Sequence, residues 1–324
     1  MTSDCSISNG NDLKNSGKML WCEEPLSDCN MDISTGHVIL SFLQEYLQTP
    51  SKIEEQWAML RNYTNQNSST SIAEQENNRN KNRDQKYLPY NETLVHLNAP
   101  TSDPMVSTYI NASTIHDSDP RQANYIATQA PLPNTIDDFW QMIWEQGAVL
   151  IVNLTDANDN NEGRCVRYWP ENGSHVYGSY EIHLVSEHIW SEDYLVRSFY
   201  LKNLKTNETR TVTQFHFLTW PQNEVPLSFK AILDFRRKVN KSYHGRAAPL
   251  IVHCTNGSGR TGAYCLLDIV LNRISKGIKE LNIAGSLEFL RDQRVGMVES
   301  DKQYKMVFSC LAEEVTTMVK TLRQ

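Results

Sequence analysis

The sequence predicts one α/β domain: a twisted, mixed β-sheet flanked by α-helices, behind a polar N-terminal stretch. Three observations lead there. Beyond residue 82, β-like and helix-like segments alternate with no further linker. The middle of the chain reads as a long antiparallel section, with strand-like runs at 148–155, 179–190, 196–204 and 210–220. An apolar run, PLIVH (249–253), leads into a glycine-containing loop and then a helix-like segment.

The elements follow in order. Residues 1–34 are rich in Ser, Asn and Asp and are expected to be mostly disordered, with Leu20 and Trp21 as a local contact. From His37 the pattern turns helical, with Val38, Leu40, Phe42, Leu43, Tyr46 and Leu47 on one broad face until Thr49-Pro50 stops it. Ser51 with Glu54 forms a capping-box pattern that starts a second helix, ending near Tyr63. Residues 64–82, dominated by Asn, Gln and Ser, read as a surface connection. Further helices are expected over 135–146, 227–243, 263–276, 284–292 and 301–319.

Composition narrows the function classes. A net charge of −7 argues against a general nucleic-acid or membrane-surface binder. The seven cysteines are odd in number and scattered, which suits reduced thiols in a cytosolic compartment. The histidines show no metal-ligand spacing, so neither a metal nor a cofactor is expected. No run approaches the roughly 18 apolar residues of a membrane helix, and the chain by itself is expected to be soluble.

The chemistry concentrates in IVHCTNGSGRTG (251–262), where five residues separate Cys254 from Arg260. A helix beginning near Thr261 or Gly262 offers unpaired N–H groups and the positive end of its dipole. Gly257 and Gly259 let the backbone of Thr255, Asn256 and Ser258 curl into an anion nest. Arg260 adds a planar fork for two phosphate oxygens. This environment favours the thiolate of Cys254. Cys265 and Cys310 read instead as small core residues.

Here the chain resembles the protein tyrosine phosphatases, from about residue 36 to the end. NKNRD (80–84) looks like the family's substrate-recognition loop, and TYINAS (108–113) and YIATQAPLPNTIDDFW (125–140) look like its core motifs. QFHFLTWPQ (214–222) resembles its mobile acid loop, VHCTNGSGRTG its phosphate loop and VESDKQY (298–304) its glutamine loop. VSEHIWSEDYLVRSFYLKNL (185–204) and LDFRRKVNKSYHGR (233–246) resemble the phogrin and islet-autoantigen subgroup. The resemblance implies the phosphatase fold over 35–324, with N-terminal helices at 36–63 and a juxtamembrane segment before them. It also implies a place on the cytosolic face of dense-core secretory vesicles, through a transmembrane segment absent from this chain.

By the same resemblance Cys254 is the nucleophile, Arg260 the phosphate ligand, Thr261 the hydroxyl that helps release the cysteine, and His253 a residue that orients the loop. Four positions depart from the pattern. Gln222 stands where the general-acid aspartate belongs, and a carboxamide cannot deliver the proton that is worth about 10²–10⁴-fold in rate. Asp84 replaces the tyrosine that lines the phosphotyrosine pocket. Asn256 replaces a small loop residue, where added bulk tilts or fills the nest. Glu299 replaces the first glutamine of the glutamine loop, while the second, Gln303, remains. Glu224, two residues past Gln222, is the obvious substitute acid but is displaced by several ångströms. Ala130, where the family has glycine, reads as a packing change.

The leading expectation is therefore a catalytically impaired phosphatase-like interaction module in dense-core vesicle biogenesis and regulated secretion of hormones and neuropeptides. Its expected partners are proteins, among them a second phosphatase domain, as homodimer or heterodimer, through the helices at 36–63. The alternative is a low-activity cysteine phosphatase acting on phosphoinositides, against which Asp84, Glu224 and Glu299 place negative charge around the pocket. A third reading is a phosphotyrosine sensor that binds without cleaving.

Overall fold

The computed structural model describes residues 30–99, 107–119, 122–156, 159, 164–243, 248–278 and 280–323. Leu20 and Trp21 lie outside the described residues. Helix α1 (Ile33–Gln48) starts before His37, because Asp32 accepts the backbone N–H of Thr35 at 2.7 Å and caps it there. Helix α2 (Pro50–Leu60) begins on its proline, so the expected capping box of Ser51 and Glu54 does not form. Proline's fixed φ and missing N–H suit the first helical position, which leaves Ser51 inside the helix. The expected surface connection at 64–82 is partly folded in. It contains α3 (Glu76–Arg79), and buried Asn82 donates to the carbonyls of Ala73 and Asn78.

The sheet comprises β1 (Leu94–His96), β2 (Tyr109–Ile115), β3 (Tyr125–Gln129), β4 (Leu150–Asn153), β5 (Ser174–Tyr177), β6 (Tyr180–Ile189), β7 (Tyr194–Asn203), β8 (Thr209–Phe217) and β9 (Leu250–Cys254). Among the described residues the strand order is β1-β2-β3-β9-β4-β8-β7-β6-β5. The middle of that order, β3-β9-β4-β8, is parallel, and both wings are antiparallel. Helix α4 (Ile136–Glu145) packs on one face. Helices α5 (Phe229–Tyr243), α6 (Gly259–Ser275), α7 (Ile283–Arg291) and α8 (Asp301–Thr321) share a core with the other.

Strand β9 explains its own position. Every residue of Leu250–Cys254 is buried, as a central parallel strand covered on both faces requires. Alternation sends Leu250, Val252 and Cys254 into the core shared with α5–α8, and Ile251 into the core shared with Phe139 and Trp140 of α4. The phosphate loop leaves the C-terminal end of this strand, between its parallel neighbours β3 and β4. Beneath it, Asp268 of α6 pairs with Arg236 of α5 at 2.6 Å and accepts from Tyr125 Oη of β3 at 2.6 Å, tying these elements together.

Candidate active site

Helix α6 starts at Gly259, earlier than Thr261, so Arg260 and Thr261 belong to its first turn. The loop from Thr255 to Ser258 is buried and closely packed. Gly257 has φ +72°, and a Cβ there would lie 2.4 Å from the carbonyl carbon and oxygen of Thr128, so only glycine fits. Arg294, wholly buried, holds the loop from behind. It donates to Gly257 O at 2.8 Å and Asn256 O at 3.2 Å while gripping Ser113 and Asn111 of β2. Burial draws its pKa down to about 10, which leaves it charged at neutral pH.

The nest is occupied by the loop's own side chain. Asn256 Oδ1 accepts from the backbone N–H of Ser258 at 3.0 Å and of Gly259 at 3.3 Å, and from Cys254 Sγ at 3.3 Å. Those are donors that an incoming phosphate oxygen would need. Of the two sequence-based possibilities, tilting or filling, the structure has Asn256 filling the nest. Arg260 is also engaged. Its fork meets Asp159 Oδ2 at 2.7 Å, Thr255 Oγ1 at 2.5 Å and Trp220 O at 2.8 Å, with both charged partners buried. The Trp220 contact holds the acid loop against the phosphate loop.

The acid position carries no acid. Gln222 Oε1 accepts from Arg164 Nη1 at 2.6 Å, so its carboxamide is turned to that arginine. Glu224 does not replace it. Its carboxylate is exposed and grips Lys302 of α8 at 2.7 and 2.9 Å, outside the cleft, while its backbone carbonyl accepts from Trp220 Nε1. The expectation that Glu224 adds negative charge to the pocket is therefore corrected: the loop's turn points it outward.

The cleft above the nest measures about 440 Å³ and is lined by Arg83, Asp84, Lys86, Tyr87, Arg164, Gln222, Thr255, Asn256 and Glu299. Asp84 sits at its exposed rim, its carboxylate accepting the Lys86 backbone N–H at 2.9 Å. Tyr87, which sequence reasoning missed, supplies the aromatic wall and donates a hydrogen bond from its hydroxyl to Glu299. Gln303 is buried. It accepts the Glu299 backbone N–H at 2.9 Å and faces Glu224 O at 3.5 Å, so it braces the two loops.

His253 lies beneath. Tyr168 Oη accepts from Gln214 Nε2 at 2.7 Å and lies 2.8 Å from His253 Nε2, which ties the imidazole ring to β8. Burial, and then the neighbouring His216, push its pKa down to about 3, which keeps it neutral. Thr261 Oγ1 is buried without a hydrogen-bond partner among the described residues. Asp159, Arg164 and Arg294 carried no signal in the sequence. They lie in polar runs, and only the fold brings them to the loop.

These parts are a cysteine on a strand end, an arginine in the first turn of the following helix, and between them a loop of inward N–H groups. The model of the protein-tyrosine phosphatase family matches residues 78–313. The chain belongs to that family. It is 54% identical over 304 residues to the receptor-type tyrosine-protein phosphatase N2 of Macaca nemestrina, covering 94% of this chain and 30% of that relative. It is 51% identical to the human receptor-type tyrosine-protein phosphatase-like N, over 94% of the chain and 31% of the relative. To the receptor-type tyrosine-protein phosphatase-like ida-1 of Caenorhabditis elegans it is 48% identical, over 97% of the chain and 40% of the relative. This phosphatase-family chain thus spans about a third of the length of the curated relatives it matches, and no helix among its described residues is long and apolar enough to cross a membrane.

Proposed function

We propose that this chain is a pseudophosphatase domain: a phosphatase fold whose site is closed to its own chemistry and whose role is to bind proteins. One observation carries the reading. Asn256 Oδ1 accepts hydrogen bonds from the N–H groups of Ser258 and Gly259 and from the Cys254 thiol, so phosphate and nucleophile are blocked by the same atom. The carboxamide of Gln222 at the acid position points the same way. The likeness to the phogrin and islet-autoantigen subgroup supports a place at dense-core vesicles and a part in regulated secretion. Val38 of α1 and Met59 of α2 are 62% and 75% exposed, which suits contact of these helices with a second phosphatase domain.

The test is steady-state hydrolysis of a phosphotyrosine peptide and a phosphoinositide panel by wild type, Cys254→Ser, and Gln222→Asp/Asn256→Ala/Asp84→Tyr. The proposal expects wild type to match Cys254→Ser on every substrate while the triple variant gains peptide activity. The phosphoinositide reading has one observation in its favour: Arg83, Lys86 and Arg164 line the cleft, and Glu224 does not. Cys254-dependent lipid hydrolysis by wild type would replace the first reading with the second.

A further inference from the structure

Asn256 is held at both ends, and the second end is gripped from outside the phosphate loop. While Oδ1 sits in the nest, Nδ2 donates to Glu299 Oε2 at 3.3 Å. The other oxygen of Glu299 accepts the Tyr87 hydroxyl. The Glu299 backbone N–H is itself fixed by Gln303 at 2.9 Å. Tyr87 has little freedom: it is 5% exposed, a Cβ on Gly296 would lie 2.8 Å from its ring, and the Lys86 ammonium stands 5.0 Å from its centroid. Glu299 lies so close to the start of α6 that a Cβ on Gly259 would be 2.7 Å from Oε2.

The donor and acceptor arithmetic makes these residues a matched set. A phenol donates, an amide nitrogen donates, and a carboxylate between them accepts one bond on each oxygen. A glutamine at position 299, as the family pattern has, offers one acceptor oxygen and an NH₂ group, so it keeps both contacts only if the Tyr87 hydroxyl turns round to accept. The departures at 256 and 299 are in direct contact, and Tyr87 joins them through the same carboxylate.

Building on the reading of Asn256 as a plug, we propose that Glu299 and Tyr87 are positioning residues that clamp Asn256 in the nest and so keep the site closed to oxyanions. The clamp acts through Asn256: among the described residues, Glu299 and Tyr87 make no hydrogen bond to Cys254 or to the N–H groups of Ser258 and Gly259. Releasing it frees the carboxamide to swing out and exposes the N–H donors.

The experiment measures binding of tungstate, an oxyanion that is not hydrolysed, by calorimetry at fixed ionic strength. In parallel, the rate of Cys254 alkylation by iodoacetate is compared with that by neutral iodoacetamide. The proteins are wild type, Asn256→Ala, Glu299→Ala, Tyr87→Phe and Asn256→Ala/Glu299→Ala, each checked for an unchanged urea midpoint. Asn256→Ala is expected to bind tungstate at least about tenfold more tightly than wild type, the weight of one charge-assisted hydrogen bond. Glu299→Ala and Tyr87→Phe are expected to recover part of that gain and to raise the preference for iodoacetate. The double variant is expected to bind no more tightly than Asn256→Ala.

If Asn256→Ala gains nothing, the plug itself is wrong and the proposed function loses its support. If Asn256→Ala gains while Glu299→Ala and Tyr87→Phe do not, the plug stands and the clamp is refuted. A gain from Glu299→Ala that is as large with Asn256 absent as with it present also refutes the clamp, because Glu299 then acts by repelling the anion. Should Glu299→Ala not fold, Tyr87→Phe keeps the ring and decides the matter alone.

Discussion

Acidification should unfold this domain through two buried histidines. His216 Nδ1 lies 3.0 Å from Arg197 Nη1, which can only donate, so Nδ1 must accept and the proton sits on Nε2, 2.8 Å from Thr155 O. His253 is buried beside it, with Nε2 2.8 Å from Tyr168 Oη. His216 is therefore neutral in the fold, and burial keeps His253 neutral as well. Burial, reinforced by Arg197 for His216 and by His216 for His253, pushes both pKa values from 6.5 down to about 3. The folded pKa is depressed, so the unfolded chain binds more protons between pH 6.5 and about 3, and stability falls as pH drops through that window. At pH 4.5 the loss is on the order of 2–3 kcal/mol per histidine, or ~5 kcal/mol for both, against a usual domain stability of ~5–15 kcal/mol. Urea titrations at pH 7.5, 6.5, 5.5 and 4.5 measure it: a plateau above pH 6.5, then a decline of ~2.7 kcal/mol per pH unit. His253→Gln removes one titrating group and should halve the slope. A stability that stays level from pH 7 to pH 5 at constant m-value would refute the neutral-histidine argument.

Three further outcomes follow from the geometry. Arg236→Ala leaves Asp268 buried without its cation and should cost about 3–5 kcal/mol in urea unfolding at neutral pH. Gln222→Asp alone should leave phosphotyrosine hydrolysis at the wild-type level, because Asn256 still fills the nest. Added to Asn256→Ala, it should raise the rate by about 10²–10⁴-fold, and equal rates with and without the aspartate would mean that position 222 no longer reaches the leaving group. Glu224→Gln breaks an exposed pair with Lys302 and should change stability by less than about 1 kcal/mol. It should also leave the activity of Asn256→Ala untouched, and a clear drop would make Glu224 the working acid after all.

The sequence by itself determined what depends on residue identity and local pattern. Cys254, Arg260 and the loop glycines announced an anion nest, and strand-like and helix-like periods announced an α/β domain. The missing acid was legible because no conformation lets Gln222 supply a proton in place of an aspartate. Short or polar strands were not legible: β1 has three residues and β5 four, and β2 reads YINASTI, too polar for a two-residue period to stand out. Only the tertiary structure decided where the polar side chains of the site point. Asn256 turns inward because Glu299, forty-three residues away, takes its other end. Arg260 is satisfied by Asp159, an anonymous member of a polar run, and Glu224 turns outward because Lys302 on a distant helix attracts it. A side chain's rotamer is chosen by whichever partners the fold brings within about 3 Å of it, and that proximity is a property of the packed chain rather than of neighbouring residues in sequence.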